Sequence, residues 1–387
     1  MPETIQREQS SHRLASIDIV RGLIMIIMAL DHVRDFFGYT AFRPDDVTQT
    51  SPALFATRWI THLCAPTFLF LSGVSVYLYL QKVGSLKKTS LFLLTRGLWL
   101  IAVEIFVISF ILTQAYDMTL LAVIWAIGCS MVLLAALVWL PRPLQLVLSI
   151  AMIAGHNALP PVGKVGPDNM LVAFLHNTPF FVSEPPILVA YAIVPWVAVM
   201  LLGYALGSWF LYPVEKRNTL LLRTGAAALV LFFVLRFLNV YGDPSPWSVQ
   251  ERGDVYTVLS FLQVSKSPPS LLFLSVTLGI MCLLLVLAER IGGGIRRFLT
   301  VFGRVPFFFF ILHLAVISAT SYLWTYLAYG KGVNLSFLSP KEWPAAYEPS
   351  LLRTYAVWVL LIIVLYFPCR WYAQYKAKTK AWWVSYL

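Results

Sequence analysis

The segment "RGLIMIIMALDHVRD", residues 21–35, sets Arg21, Asp31, His32, Arg34 and Asp35 in an otherwise apolar run. On a helix, Arg21 and His32 fall within about 20° of one face and about 16 Å apart along the axis. Met25 and Met28 lie on the stripe between them. An Arg or Asp at the centre of a membrane span costs about 2.5–3.5 kcal/mol, so such groups face a bundle interior or a watery cavity. His32 is the candidate general base, since an unperturbed imidazole titrates at about 6.5. Asp35 stands three residues on and shares its face, which makes it the better carboxylate to orient the ring. Asp31, a direct neighbour, points toward another helix or Arg34. A polar helix end whose charges satisfy one another is the alternative reading.

Other ionisable groups recur at depth. His62, in "THLCAP", opens a second apolar run near the expected level of His32 and is a candidate second base, acyl acceptor or oxyanion donor. His313, in "FGRVPFFFFILHL", and Glu104 both fall deep in apolar runs, where they could pair with each other or line a tunnel. Arg21, Arg96 and Arg304 stand near the basic ends of their runs, and a guanidinium forks onto phosphate oxygens. Lipid headgroups and water are the competing partners for such arginines. Tyr241, Asp243, Trp247 and Trp343 in the longer loops are of types that suit a carbohydrate, though aromatics at span ends commonly serve as interfacial anchors. No His, Cys, Asp or Glu group has metal-ligand spacing, so no metal is expected. Cys64, Cys129, Cys282 and Cys369 form no CxxC pair and read as small core residues.

These groups need elements to hold them. The chain is 59% hydrophobic and 12% charged, far from a soluble domain at nearly half apolar and a quarter charged. An all-α, polytopic membrane bundle is expected, with about ten spans of roughly 17–25 residues. They are Leu14–Phe37, Arg58–Leu80, Ser90–Leu112, Met118–Leu140, Leu144–Leu159, Ile187–Leu211, Thr219–Val240, Ser270–Ala288, Leu299–Tyr329 and Leu351–Tyr375. The fifth is short and ends in "GHNALPP", which suggests tilt or partial insertion. Residues 1–13 are polar and lack the apolar core of a cleavable signal, and 376–387 form a basic tail. Between them, 1–387 reads as a single transmembrane domain.

The connections alternate. "QKVGSLKK", "PRP", "VEKRN", "ERIGGGIRR" and the tail are short and basic, and the intervening loops are longer and richer in acid, Pro and aromatics. The positive-inside rule puts the basic set and both termini in the cytoplasm. Trp59, Trp196, Trp209, Trp371 and Trp382 suit interfacial belts. The net charge of +11 is thereby largely accounted for, and no nucleic-acid partner is expected.

"RLASIDIVRGLIMIIMALDHVRDFF" resembles the first helix of the heparan-alpha-glucosaminide N-acetyltransferase catalytic-domain family, and "TRWITHLCAPTFLFLSGVSVYL" resembles the second helix of its bacterial members. "TRGLWLIAVE", "YGDP" followed by "W", "KSPPSLLFLSVTLG" and "FGRVPFFFFILHL" resemble later blocks in the same order. The wider transmembrane acyltransferase superfamily carries Arg or Lys, ten residues, then His on its first helix, as Arg21 and His32 do. The resemblance implies an acyltransferase of ten or eleven helices. It would move an acyl group, acetyl by family, from cytoplasmic acyl-CoA to an acceptor hydroxyl or amine outside, such as an envelope glycan or amino sugar. Its place would be a bacterial inner membrane, in contact with lipid and with room for self-association. In that role His32 would be the base, with Asp31, Asp35 and His62 beside it. Arg21, Arg96 and Arg304 would meet CoA phosphates, with His313 and Glu104 along the tunnel. One departure stands out: the lysosomal enzyme has Asn at the position of His32 and its proposed active-site His in the following stretch, which here, "GYTAFRPDDV", holds no His. A transporter or channel using Asp31, His32, Glu104 and His313 as a polar pathway is the competing function.

Overall fold

The protein is seen in a computed structural model that describes residues 3–38, 40–114, 116–159, 165–333, 343–379 and 381. The helices in chain order are α1 (Glu3–Phe37), α2 (Pro52–Ile60), α3 (Cys64–Val83), α4 (Leu86–Val103) and α5 (Ser109–Thr113). Next come α6 (Val123–Leu137), α7 (Arg142–Gly155), α8 (Met170–His176), α9 (Ile193–Leu206) and α10 (Val214–Leu238). The last five are α11 (Asp254–Leu262), α12 (Leu271–Ala288), α13 (Gly293–Arg304), α14 (Pro306–Tyr329) and α15 (Leu351–Lys378). Trp382 and parts of the longest loops lie outside the described residues.

Local chemistry sets the ends. Ser51, Ser85, Ser270 and Ser350 accept from backbone N–H groups in the first turns of α2, α4, α12 and α15. Gly84, Asn239 and Gly330 close α3, α10 and α14 in the left-handed conformation.

All ten expected spans contain a helix. Among the described residues, seven helical runs are long and apolar enough to cross a membrane. The fourth and fifth spans hold helices of only 15 and 14 residues, and the first carries its charges inside the helix. Four boundaries need correction. The first residues of the fourth and sixth spans instead join a small sheet: β1 (Thr119–Leu121) pairs parallel with β3 (Ile187–Val189), which pairs antiparallel with β2 (Phe180–Val182) from the loop between those spans. Short β-branched and aromatic runs there look the same as helix ends to a hydropathy reading. The expected ninth span is two helices, because Pro306 starts α14 and Val305 sits outside helical geometry. Finally, α1 extends back through the polar N-terminal segment as far as Glu3.

Helix α1 is the hub: α3, α12, α13, α14 and α15 all pack on it. Its crossing with α13 is a backbone contact. A Cβ on Gly22 would overlap the Leu299 carbonyl, and one on Gly303 would overlap the Asp18 carbonyl. On α10 and α15, exposed Val234, Phe237, Ile363 and Phe367 form an apolar outer surface that suits lipid. Arg21, Asp31, Arg34 and Asp35 on α1 find protein partners, which meet the expected cost of charge in a span.

Candidate active site

His32 and His313 meet between α1 and α14. His32 Nδ1 lies 2.6 Å from His313 Nε2, and His313 Nδ1 lies 2.9 Å from the Phe309 carbonyl oxygen. The ring planes differ by 20° with centroids 4.9 Å apart, so the centroid separation exceeds the N···N distance by about two ring radii. The two imidazoles thus meet edge to edge, nearly coplanar, as an N–H···N bond requires.

That geometry dictates the tautomers. A carbonyl only accepts, so His313 Nδ1 carries the hydrogen and its Nε2 is bare in the neutral ring. His32 Nδ1–H must then donate to it, which leaves the lone pair on His32 Nε2. Among the described residues nothing bonds to that nitrogen. Phe310 packs edge-on to both rings, at 6.1 Å and 5.5 Å between centroids.

His32 faces a cavity of about 340 Å³, also lined by Asp31, Asp35, Arg58, Glu104, Tyr191 and Lys266. The carboxylates expected to orient His32 are engaged elsewhere. Arg34 pairs with Asp31 at 2.7 Å and with Asp35 at 2.6 Å, and Arg58 donates to both oxygens of Asp31 at 3.0 Å. Thr61 adds a bond to Asp31 at 2.9 Å. No hydrogen bond joins either carboxylate to His32 among the described residues; His313 holds the ring instead. Glu104 does not pair with His313. It accepts from the backbone N–H groups of Ala122 and Trp125, each at 3.1 Å, and so caps the N-terminus of α6 from a neighbouring π-helical turn, Glu104–Ile108. His62 is buried one turn beyond Arg58, with its ring against Phe273 at 5.3 Å, and does not line the cavity.

The loop after α1 roofs this cavity. Arg43 forks onto Asp45 at 3.1 and 3.0 Å. Burial pushes the Asp45 carboxyl up, but the Arg43 and Arg58 guanidiniums outweigh it and hold it below the usual carboxylate range.

A second, smaller cavity of about 120 Å³ lies toward the basic end of α1. Its walls are apolar and include Met25 and Met28, and both Arg21 and Arg96 line it. Arg21 is fixed by donating to Ser75 Oγ and the Gly303 carbonyl at 3.2 Å and to Asp18 at 3.3 Å. Arg304 is not part of it; its exposed side chain lines a separate cleft with Arg296, Arg297 and Arg370. The two cavities beside α1 share two lining residues, Val123 and Phe310.

Lys266 and Arg58 were not singled out by residue type alone. The loop that carries Lys266 is built by groups expected to suit a carbohydrate. Asp243 accepts from Ser245 N, Ser265 N and Ser270 Oγ at 2.9, 2.8 and 2.6 Å. Buried Arg236 donates to the carbonyls of Ser245, Ser260, Phe261 and Gln263. Tyr241 and Trp247 are tied to the Ala154 and Arg236 carbonyls. The "YGDP" and "KSPPS" blocks are thus one scaffold that places Lys266 at the cavity. Their linkage through Asp243 spans 22 residues or more, too far for motif spacing to reveal.

Among the described residues, no group of three or more His, Cys, Asp or Glu could hold a metal. The four cysteines are free, with Cys129 half-buried and the others buried. A search of curated proteins finds no match. Residues 13–241 match the family model for the catalytic region of heparan-alpha-glucosaminide N-acetyltransferase, which leaves Lys266 and His313 to a part of the chain that the match does not reach. That span is more than half of the 387 residues and includes His32 with the walls of both cavities on α1, α3, α4 and α6, and on this ground the chain belongs to the heparan-alpha-glucosaminide N-acetyltransferase catalytic family.

Proposed function

We propose that this membrane acetyltransferase takes its acetyl group from acyl-CoA at the basic, cytoplasmic end of the bundle. It delivers that group to a hydroxyl or amine acceptor in the cavity at the loop-rich end. The acceptor is a sugar of an envelope glycan, and the membrane is a bacterial inner membrane. The observation that supports the reading is that His32 lines an open cavity and has its Nδ1 engaged by a chain that runs through His313 to a carbonyl, which leaves its Nε2 bare.

Arg21 and Arg96 suit the phosphates at the nucleotide end of CoA, because a planar fork matches phosphate oxygens and the apolar cavity between them suits the pantetheine arm. The acceptor O–H or N–H gives its proton to His32 Nε2 as the new O–C or N–C bond forms at the thioester carbon. The C–S bond then breaks, and His32 returns the proton to the departing CoA thiolate. Such a base is worth about 10²–10⁴-fold in rate. His313 stays neutral through the cycle and keeps the His32 Nδ1–H engaged in both protonation states of that ring. Asp31 and Asp35 serve by balancing Arg34 and Arg58 at the cavity wall.

The test uses protein reconstituted in nanodiscs with radiolabelled acetyl-CoA and glucosamine or an oligosaccharide. The expected result is label on the acceptor, lost by about 10²-fold or more in His32→Ala. Full transfer by His32→Ala would remove the base, and absence of acetyl-CoA binding to the wild type would refute the donor.

A further inference from the structure

The geometry points to Phe310, backed by Val123, as a gate between the two cavities that also filters the acyl group by its width. This rests on the proposed function, which requires the thioester to reach His32 from the other side.

Two helical stripes face each other across the site. On α1, Met25 and Met28 line the smaller cavity and His32 lines the larger one. On α14, Phe307 lines the smaller cavity, Leu314 the larger, and Phe310 both. Each set is spaced i, i+3, i+7, the spacing of one helix face. Phe310 stands at the one level where the stripe passes from one cavity to the next. Only Val123, the first residue of α6, shares that level among the described residues.

The partition is therefore one side chain thick. Two side-chain torsions govern the Phe310 ring, and its edge already touches His32 and His313. The ring stands between the guanidinium-lined cavity and the His32 cavity and lines both. A ring rotation opens a slot beside His32. A thin acetyl thioester passes such a slot, and a branched acyl group meets the ring. Val123 sets the opposite wall from the N-terminus of α6, which Glu104 holds in place.

The test has two arms on the full chain. In the first, Met28→Cys reports on the smaller cavity and Thr40→Cys on the larger. Cells expressing each are treated with a membrane-impermeant thiol reagent from outside, and the parent with its four native cysteines gives the background. Thr40→Cys should label with Phe310 present. Met28→Cys should label only when Phe310→Ala is added, with Phe310→Leu intermediate. In the second, transfer from isobutyryl-CoA is compared with transfer from acetyl-CoA. Phe310→Ala should raise that ratio by about tenfold, the scale on which an apolar wall discriminates added carbon. Phe310→Leu keeps most of the core volume and carries both comparisons if the Ala variant does not fold.

Unchanged Met28→Cys labelling in both Phe310 variants would overturn the gate. An unchanged acyl ratio in a variant that still transfers acetyl would overturn the filter. A wild type that transfers no acyl group from either donor would sink the proposed function, and the labelling arm would still decide the gate.

Discussion

Replacing His313 tests whether that ring fixes the tautomer of His32. His313→Ala removes a neutral hydrogen bond to the Phe309 carbonyl, worth about 1 kcal/mol net, and strands the His32 Nδ1–H, at about 1–3 kcal/mol. The stability loss from polar terms is then about 2–4 kcal/mol, before any cavity cost. The rate effect is separate. A ring without its acceptor can rotate, or carry its proton on Nε2, and either change removes the lone pair from the cavity. Because His313 is neutral and supplies no charge, its loss should cost less than the about 10⁴-fold seen when a charged orienting carboxylate is neutralised in a catalytic triad. We expect a fall of about 10²-fold in kcat, the lower end for a misplaced base, with the KM for acetyl-CoA unchanged. His313→Gln keeps an acceptor oxygen and should recover part of the loss. The assay is steady-state acetyl transfer in nanodiscs, read beside a thermal melt of each variant in detergent. Wild-type kcat in a folded His313→Ala protein would show that His313 does not position the base. A loss confined to KM would move His313 from the acceptor side to the donor side.

Three further outcomes follow from the same geometry. Arg21→Gln and Arg96→Gln should each raise the KM for acetyl-CoA by about tenfold, the loss of one charge-assisted bond of at least about 1.5 kcal/mol, with kcat held; titration of binding by isothermal calorimetry checks this. Glu104→Gln puts an amide N–H₂ against one of two backbone donors at the start of α6, so a stability loss of about 1–3 kcal/mol is expected, read as a lower melting temperature. Arg58→Met removes one of the two arginines paired with Asp31 and should cost up to about 3–5 kcal/mol, since a partly buried carboxylate is left short of partners; a double Asp31→Asn, Arg58→Met variant that is no more stable than the single would refute the pairing argument.

Much of this was legible in the residues, and the failures have a common cause. Span positions follow from apolar runs, because a helix in lipid must be apolar for about 20 residues whatever its neighbours. The Arg21–His32 stripe was legible because helical periodicity is local, and Met25 and Met28 do line the cavity between them. Partner choice was not legible. Asp35 lies three residues from His32 but goes to Arg34, while His313 comes from 281 residues away. A carboxylate beside a guanidinium on its own helix is already satisfied, and a neutral imidazole deep in apolar surroundings can use another neutral imidazole. Glu104 misled for the same reason: its partners are backbone N–H groups, which carry no residue type to read.

The use of a neutral acceptor behind His32 has a physical rationale that a carboxylate would not meet. The ring sits beside Asp31 and Asp35, which already pair with Arg34 and Arg58, so a third carboxylate hydrogen-bonded to His32 would bring one more charge to be desolvated at the depth of a membrane span. A neutral imidazole costs far less to bury, and its own orientation is fixed by a backbone carbonyl that the helix supplies four residues earlier. The relay thus ends in the main chain of α14, whose start is fixed by Pro306. Shifting that start should disturb the proposed base as well as the proposed gate, since Phe309, Phe310 and His313 belong to consecutive turns of one helix. Insertion of one alanine between Pro306 and Phe307 rotates those residues by about 100°. It should abolish transfer and, because Phe307 and Phe310 also line the Arg21 and Arg96 cavity, weaken acetyl-CoA binding. Retained transfer in that variant would mean that His313 and Phe310 owe nothing to their register on α14.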